Sequence, residues 1–171
     1  MCSSDLDNNA GFQFLVQLAE GTGNQDRIGR RINLHNLYLT GKFENATAVC
    51  LVRLVLARYR HTNGVSPQIT DLLQGGISTS NINNFKNLED SKNARILWDH
   101  TWRFTSAFAQ NGAIFRKKFR INKKVYFTGA TAAHTDVRDG QLVLFVFSDQ
   151  TDASGISPNV NINARIRYTD A

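Results

Sequence analysis

The stretch Ile114–Phe127, IFRKKFRINKKVYF, decides the fold. Taken two residues at a time it has two unlike faces. Arg116, Lys118, Arg120, Asn122, Lys124 and Tyr126 share one. Phe115, Phe119, Ile121, Val125 and Phe127 share the other, interrupted only by Lys117 and Lys123. Side chains on a strand point alternately to opposite sides, so the pattern predicts a long half-buried β-strand with an apolar inner face and a cationic outer one. Six basic residues fall in the nine positions from Arg116 to Lys124, with no acid among them. Such a row repels itself unless an anion or a partner surface lies opposite. The plainer reading is a solvated face that blunts edge-to-edge aggregation.

Two other stretches are apolar on both faces. Ala48–Arg60 (AVCLVRLVLARYR) is one; in Gln141–Ser148, Leu142, Leu144 and Val146 alternate with Val143, Phe145 and Phe147. Strands of this kind need cover on both sides. Ile32–Gly41 sets Ile32, Leu34 and Tyr38 against Asn33 and His35. Val160–Thr169 sets Val160, Ile162, Ala164, Ile166 and Tyr168 against Asn161, Asn163, Arg165 and Arg167. Ala94–Phe104 supplies one or two strands around Asp99-His100. Phe12–Ala19 packs as an extended segment or a short helix, and Ser66–Gln74 holds one short helix that Gly75-Gly76 stops. Between these lie the loop Glu20–Asp26, the polar excursion Ile77–Asn93, the turn Ser106–Gly112, the small-residue loop Thr128–Asp139 and the turn-rich Asp149–Pro158. Seven or eight strands with long end-loops and no repeat predict an all-β, two-sheet antiparallel sandwich of the jelly-roll kind.

A chain of 171 residues is one domain's worth. Its formal charge of +6 leans toward polyanionic partners. Cys2 and Cys50 cannot make a disulfide scaffold, and Cys50, inside an apolar run, reads as a small buried residue. No apolar run approaches a membrane span, and no secretory signal opens the chain, so no membrane partner is expected. Met1–Gly11 is polar and without periodicity. Residues 1–19 read as a leader or arm remnant, and 20–171 as the folded domain.

Nothing argues for an enzyme. His35, His61, His100 and His134 stand at no metal-ligand spacing. Asp99-His100 has no nucleophile motif to complete a triad. The glycines after Glu20 and Gln74 belong to turns, since no G-K-[ST] follows them. Asn45-Ala-Thr47 matches a glycosylation sequon, which carries little weight in a chain lacking a signal peptide.

Several segments together resemble one protein family. Gln25-Asp-Arg-Ile-Gly29, followed by Arg30-Arg31-Ile32 and a strand, resembles the segment opening the first jelly-roll strand in coat proteins of the satellite tobacco necrosis virus type. Capsid proteins of circular single-stranded-DNA viruses are similar there. Phe119-Arg-Ile-Asn, then Val125-Tyr-Phe-Thr-Gly-Ala-Thr-Ala132, resembles a second segment of those coat proteins, and Tyr168-Thr-Asp-Ala171 resembles their terminus. Ala94-Arg-Ile-Leu-Trp-Asp-His100 is similar to a strand turn of the DNA-virus relatives. The similarity runs from Glu20 to Ala171, in order and at compatible spacing.

The resemblance implies a single viral jelly roll: an eight-stranded antiparallel sandwich of two four-stranded sheets with one short helix. It implies a coat protein whose copies assemble into a T=1 icosahedral shell, a sixty-copy homo-oligomer, around a single-stranded nucleic acid genome. Its location would be the virion, and the host cell during assembly. Relatives bind the genome with a basic N-terminal arm, whereas the leader here holds Asp5 and Asp7 and no basic residue. The remaining candidates for nucleic acid are Arg27, Arg30 and Arg31 at the root of the strand, and Arg116, Lys118, Arg120 and Lys124. Candidates for subunit contact are Asp170, Arg30, Arg31, Trp98 and Trp102. The family's calcium ligand matches Asp170, but its acidic pair aligns with Thr22 and Gly23, and Arg30-Arg31 stand where an Asp-Gln does. The expectation is therefore no metal and no cofactor, with Asp170 paired to Arg30 or Arg31 of its own or a neighbouring subunit; calcium held by Asp170 is the alternative. The rival reading is a non-capsid jelly-roll module that binds single-stranded nucleic acid or glycan.

Overall fold

In a computed structural model the described residues are 2–5, 11–23, 26–44, 49–62, 67–74, 86, 93–104, 113–149 and 159–171. Among them are nine strands: β1 (Cys2–Asp5), β2 (Gly11–Phe14), β3 (Arg31–Glu44), β4 (Cys50–Tyr59), β5 (Ala94–Phe104), β6 (Ile114–Phe127), β7 (Val137–Asp139), β8 (Leu142–Ser148) and β9 (Asn159–Asp170). The helix expected in Ser66–Gln74 is a 3-10 turn, Ile69–Asp71, and a second such turn is His134–Asp136. The Gly75-Gly76 stop, most of Ile77–Asn93, the turn Ser106–Gly112, most of Asp149–Pro158 and the sequon at Asn45 lie outside the described residues.

The first half of the chain pairs antiparallel with the second as one folded ribbon. β1 pairs β9, β2 pairs β8, β3 pairs β6 and β4 pairs β5. Rolling the ribbon up brings β9 beside β3 and β8 beside β4. The result is a sheet ordered β1-β9-β3-β6-β7 facing a sheet ordered β2-β8-β4-β5. β7 is a three-residue extension on the end of β6. Apart from it, four strands face four in the order of a jelly roll, and the all-β sandwich is as the alternation predicts.

Two placements differ from the sequence reading. Within the expected leader, residues 2–5 and 11–14 are strands in the two sheets, and Leu15 and Val16 are buried in the core. The strand that follows Gln25–Arg31 is thus third in the roll rather than first. Cys2–Asp5 pairs through its backbone and has no apolar alternation to announce it.

The core between the sheets follows the period of two. β6 buries Phe115, Val125 and Phe127 and half-buries Phe119 and Ile121, while its alternate residues are exposed. β4 and β8 are buried on both faces. Leu54, Leu56, Leu142, Leu144 and Val146 face the other sheet. Val55, Ala57, Val143, Phe145 and Phe147 face outward into a second cluster. Its cover comes from the same chain: Ile69, Leu72 and Leu73 beside the 3-10 turn lie over it, and Tyr59 Oη donates to the Gln68 carbonyl at 3.0 Å. Each such aliphatic or aromatic side chain contributes about 1.5–3 kcal/mol when fully buried.

In β3 the alternation breaks. Its pairing slips between Leu34 and Asn36 against both neighbours: against β9 His35 is an extra residue, while on β6 two residues, Ile121 and Asn122, stand opposite it. Ile32 and Leu34 point inward, and past the bulge so do Leu37, Leu39 and Phe43. Tyr38, which the sequence pattern puts on the side of Ile32 and Leu34, therefore lies on the outer face. Asn122, opposite the bulge on β6, has φ 47°, a left-handed conformation that asparagine tolerates.

Candidate nucleic-acid interface

The bulge sets the register of the outer face across β9, β3 and β6. Arg165, Tyr38 and Lys118 form one transverse row. Asn163, Thr40 and Arg116 form the next on one side, and Arg167, Asn36 and Arg120 on the other. Beyond the bulge lie Thr169, Asn33 and Lys124, and at the end Arg31 pairs with Tyr126. None of these positions is acidic. Among the described residues, no ion pair engages Arg116, Lys118, Arg120, Lys124, Arg165 or Arg167. Neighbouring strands lie about 4.8 Å apart and alternate residues about 6.8 Å apart along a strand, so these cations repel one another at close range. Arg116, Lys118, Arg165 and Arg167 line an open hollow of about 950 Å³, together with Tyr38, Thr40 and Asn163 among others. Tyr38 is 36% exposed, and Lys118 Nζ lies 5.4 Å from its ring centroid.

Four of the seven candidates for nucleic acid, Arg116, Lys118, Arg120 and Lys124, thus share this exposed face. Arg30 and Arg31 are exposed at its end, where with Tyr126 and Arg138 they line a second hollow of about 510 Å³. Arg27 is different. It is fully buried, its guanidinium 4.2 Å from the Phe127 ring centroid. It donates to the carbonyls of Leu18, Gly29 and Gly129 and pairs with Glu20 at 3.4 Å. A side chain so enclosed is a fastener and cannot reach a phosphate. Sequence reasoning also missed Arg165, Arg167 and Tyr38. The two arginines were visible on the polar side of β9, but nothing in their own segment says that β9 lies two strands from β6.

The corner around Arg27 joins segments far apart in sequence. Glu20 N–H donates to the Ala130 carbonyl at 2.8 Å, and Tyr168 Oη to the Asp26 carbonyl at 2.7 Å. Ile28 N–H donates to Asp170 Oδ1 at 2.9 Å. Burial, with Asp170 and Asp26 nearby, raises the Tyr168 phenol pKa. Within the described residues, Asp170 makes no ion pair with Arg30 or Arg31 of its own chain. Asp26, Asp170, Thr22 and Gly23 do line one hollow of about 390 Å³. Both carboxylates are already engaged, however, Asp26 by the Gly23 N–H at 3.0 Å. Among the described residues no group of three or more His, Cys, Asp or Glu is placed to hold a metal ion. Within one chain this hollow offers two carboxylates, against the six to eight hard oxygens that calcium takes.

Trp98 and Trp102 are half-buried on the open side of the sandwich, between β5 and β6. Trp98 packs against Phe115, Phe119 and edge-on to Trp102, with ring centroids 5.6, 5.8 and 5.7 Å away. Lys117, an inward position by parity, lies 5.7 Å from the Trp98 ring centroid at the rim. Asp99 and His100 are not a dyad. Asp99 receives Arg53 Nε and Nη2 at 2.8 and 2.6 Å, while the His100 ring meets Trp102 edge-on at 4.4 Å. No protein-family model matches the chain, and no curated protein matches it.

Proposed function

We propose that this chain is a coat protein, a single jelly roll whose copies assemble into a small T=1 icosahedral shell around single-stranded nucleic acid. The observation that carries this reading is the Arg27 corner. The segments resembling satellite-virus coat proteins are Gln25–Ile32, Phe119–Ala132 and Tyr168–Ala171. Arg27 bonds Gly129, and Asp170 bonds Ile28, so these segments are joined in space. A chance likeness scattered along a chain has no reason to converge in three dimensions. The jelly-roll strand order agrees with it. The cationic outer face of the β1-β9-β3-β6-β7 sheet is the genome contact in this reading. Phosphate contacts of this kind are sequence-tolerant and weaken steeply with salt. The half-buried Trp98 and Trp102, and Asp170 with Arg30 and Arg31, are the proposed subunit contacts, and no residue has a catalytic role. Neither a metal nor another cofactor enters the assembly.

The rival reading, a jelly-roll module that binds nucleic acid or glycan without assembling, draws on the 950 Å³ hollow, the largest of the three described here. Negative-stain microscopy and sedimentation velocity at low and high salt separate the two. Uniform hollow particles that persist at high salt support the coat-protein reading, with protein interfaces holding the shell. A monomer or small oligomer at every concentration overturns it in favour of the module.

A further inference from the structure

We infer that the cationic face is a single-strand track in which Tyr38 stacks on a base while Arg165 and Lys118, its neighbours in the same row, take the flanking phosphates. This rests on the reading of that face as the nucleic-acid contact and names the residues that hold an unpaired strand there and how. The bulge at His35 is the device. Without the extra residue Tyr38 would fall on the side of Ile32 and Leu34, inside the sandwich; with it, a large ring stands on the solvent side among cations. The ring is 36% exposed at the lining of the hollow, with Lys118 Nζ 5.4 Å from its centroid.

A surface that reads only the phosphates of a duplex has no use for an exposed aromatic ring amid its cations. Single-strand binding does, because every base has a face to stack and an unpaired strand can turn its bases toward the protein. The cations also suit a strand's path. Arg116, Lys118 and Arg120 alternate along β6, and Arg165 and Arg167 run beside them two strands away. Arg116 and Lys118 on one flank and Arg165 and Arg167 on the other bracket the hollow, so a backbone laid along either flank turns its bases over Tyr38.

The test uses the full-length chain and a fluorescein-labelled 20-nucleotide oligothymidylate, followed by anisotropy across a series of NaCl concentrations. Duplex DNA of the same length and heparin serve as competitors, and the same samples are run in sedimentation velocity. The single strand is expected to outcompete both. Tyr38→Leu should weaken binding about tenfold with its salt slope unchanged, and Tyr38→Phe should bind as the parent does. Lys118→Gln and Arg165→Gln should each lower the slope of log affinity against log salt by about 0.7. Equal binding by Tyr38→Leu and the parent, or duplex or heparin binding as tightly as the single strand, overturns the inference. Tyr38→Phe controls for folding, and sedimentation reports assembly separately. Particles without single-strand preference sink this inference alone; single-strand binding without particles sinks the coat-protein reading alone.

Discussion

Asp170 Oδ1 accepts the Ile28 backbone N–H at 2.9 Å, a contact between residues 142 apart in sequence. It pins the end of β9 to the turn that leads into β3, on an exposed corner where water competes. Asp170→Ala is expected to cost about 1 kcal/mol in urea unfolding, and Asp170→Asn, which keeps an acceptor, clearly less. Because Asp26 and Asp170 are both held by N–H groups, EDTA should leave the melting temperature and particle size unchanged. A drop in either would reinstate calcium.

Arg27 is expected to matter far more to folding than to binding. Removing a fully buried guanidinium strands three carbonyls, while Glu20, 43% exposed, turns to water, a loss of at least about 1–3 kcal/mol. Arg27→Lys should recover little, since an ammonium cannot span the same carbonyls or lie flat on Phe127. Chemical denaturation gives the first number. Phosphate binding by the folded fraction should be unchanged.

Gly41 faces the ring of Phe115 across the β3–β6 pair. A Cβ there would sit 2.4 Å from two ring carbons, and the ring is itself wedged against Trp98 and Trp102. Gly41→Ala should therefore destabilise by about 1–3 kcal/mol through overpacking. Calorimetry that shows an equal or higher melting temperature would mean the aromatic cluster yields more readily than its packing suggests.

Stability should fall on the alkaline side. Burial, with Asp149 nearby, pushes the Cys50 thiol from 9.0 up to about 11. Burial, with Asp71 nearby, also raises the Tyr59 phenol. The unfolded chain gives up these protons first, so their contribution is whole below about pH 9 and declines as pH rises toward 11. A Cys50→Ala variant should show a shallower alkaline decline in melting temperature. Iodoacetamide at pH 8 should leave Cys50 unmodified in the native protein, read by peptide mass mapping.

Where a residue's type and its burial agree, the fold was legible. Val125 and Lys124 announce their faces without reference to any other strand, and the double-sided run Leu142–Phe147 announces a middle layer. The site depended on relations between segments. His35 is an ordinary polar residue in sequence, yet as the extra residue of a bulge it decides which way Tyr38 points. Arginine is rarely enclosed, so Arg27 read as a surface cation, and only the carbonyls of Leu18, Gly29 and Gly129 around it make its burial tolerable. Arg165 and Arg167 were assigned to the right face of the right strand, but β9 reaches the cationic sheet only through the rolled ribbon.

That ribbon also dictates a schedule. Its innermost rung, β4 with β5, closes within the middle of the chain, whereas the outermost joins Cys2 to Ile162. Pairings so distant in sequence are slow to form, and those involving β9 wait until Asn159–Asp170 has left the ribosome. Arg165 and Arg167 travel on that last strand. A nascent chain thus exposes β6 without its companions, and the full cationic face exists only once β9 has joined the sheet. For a coat protein as proposed, that delay would keep half-made copies from engaging nucleic acid before they could join a shell.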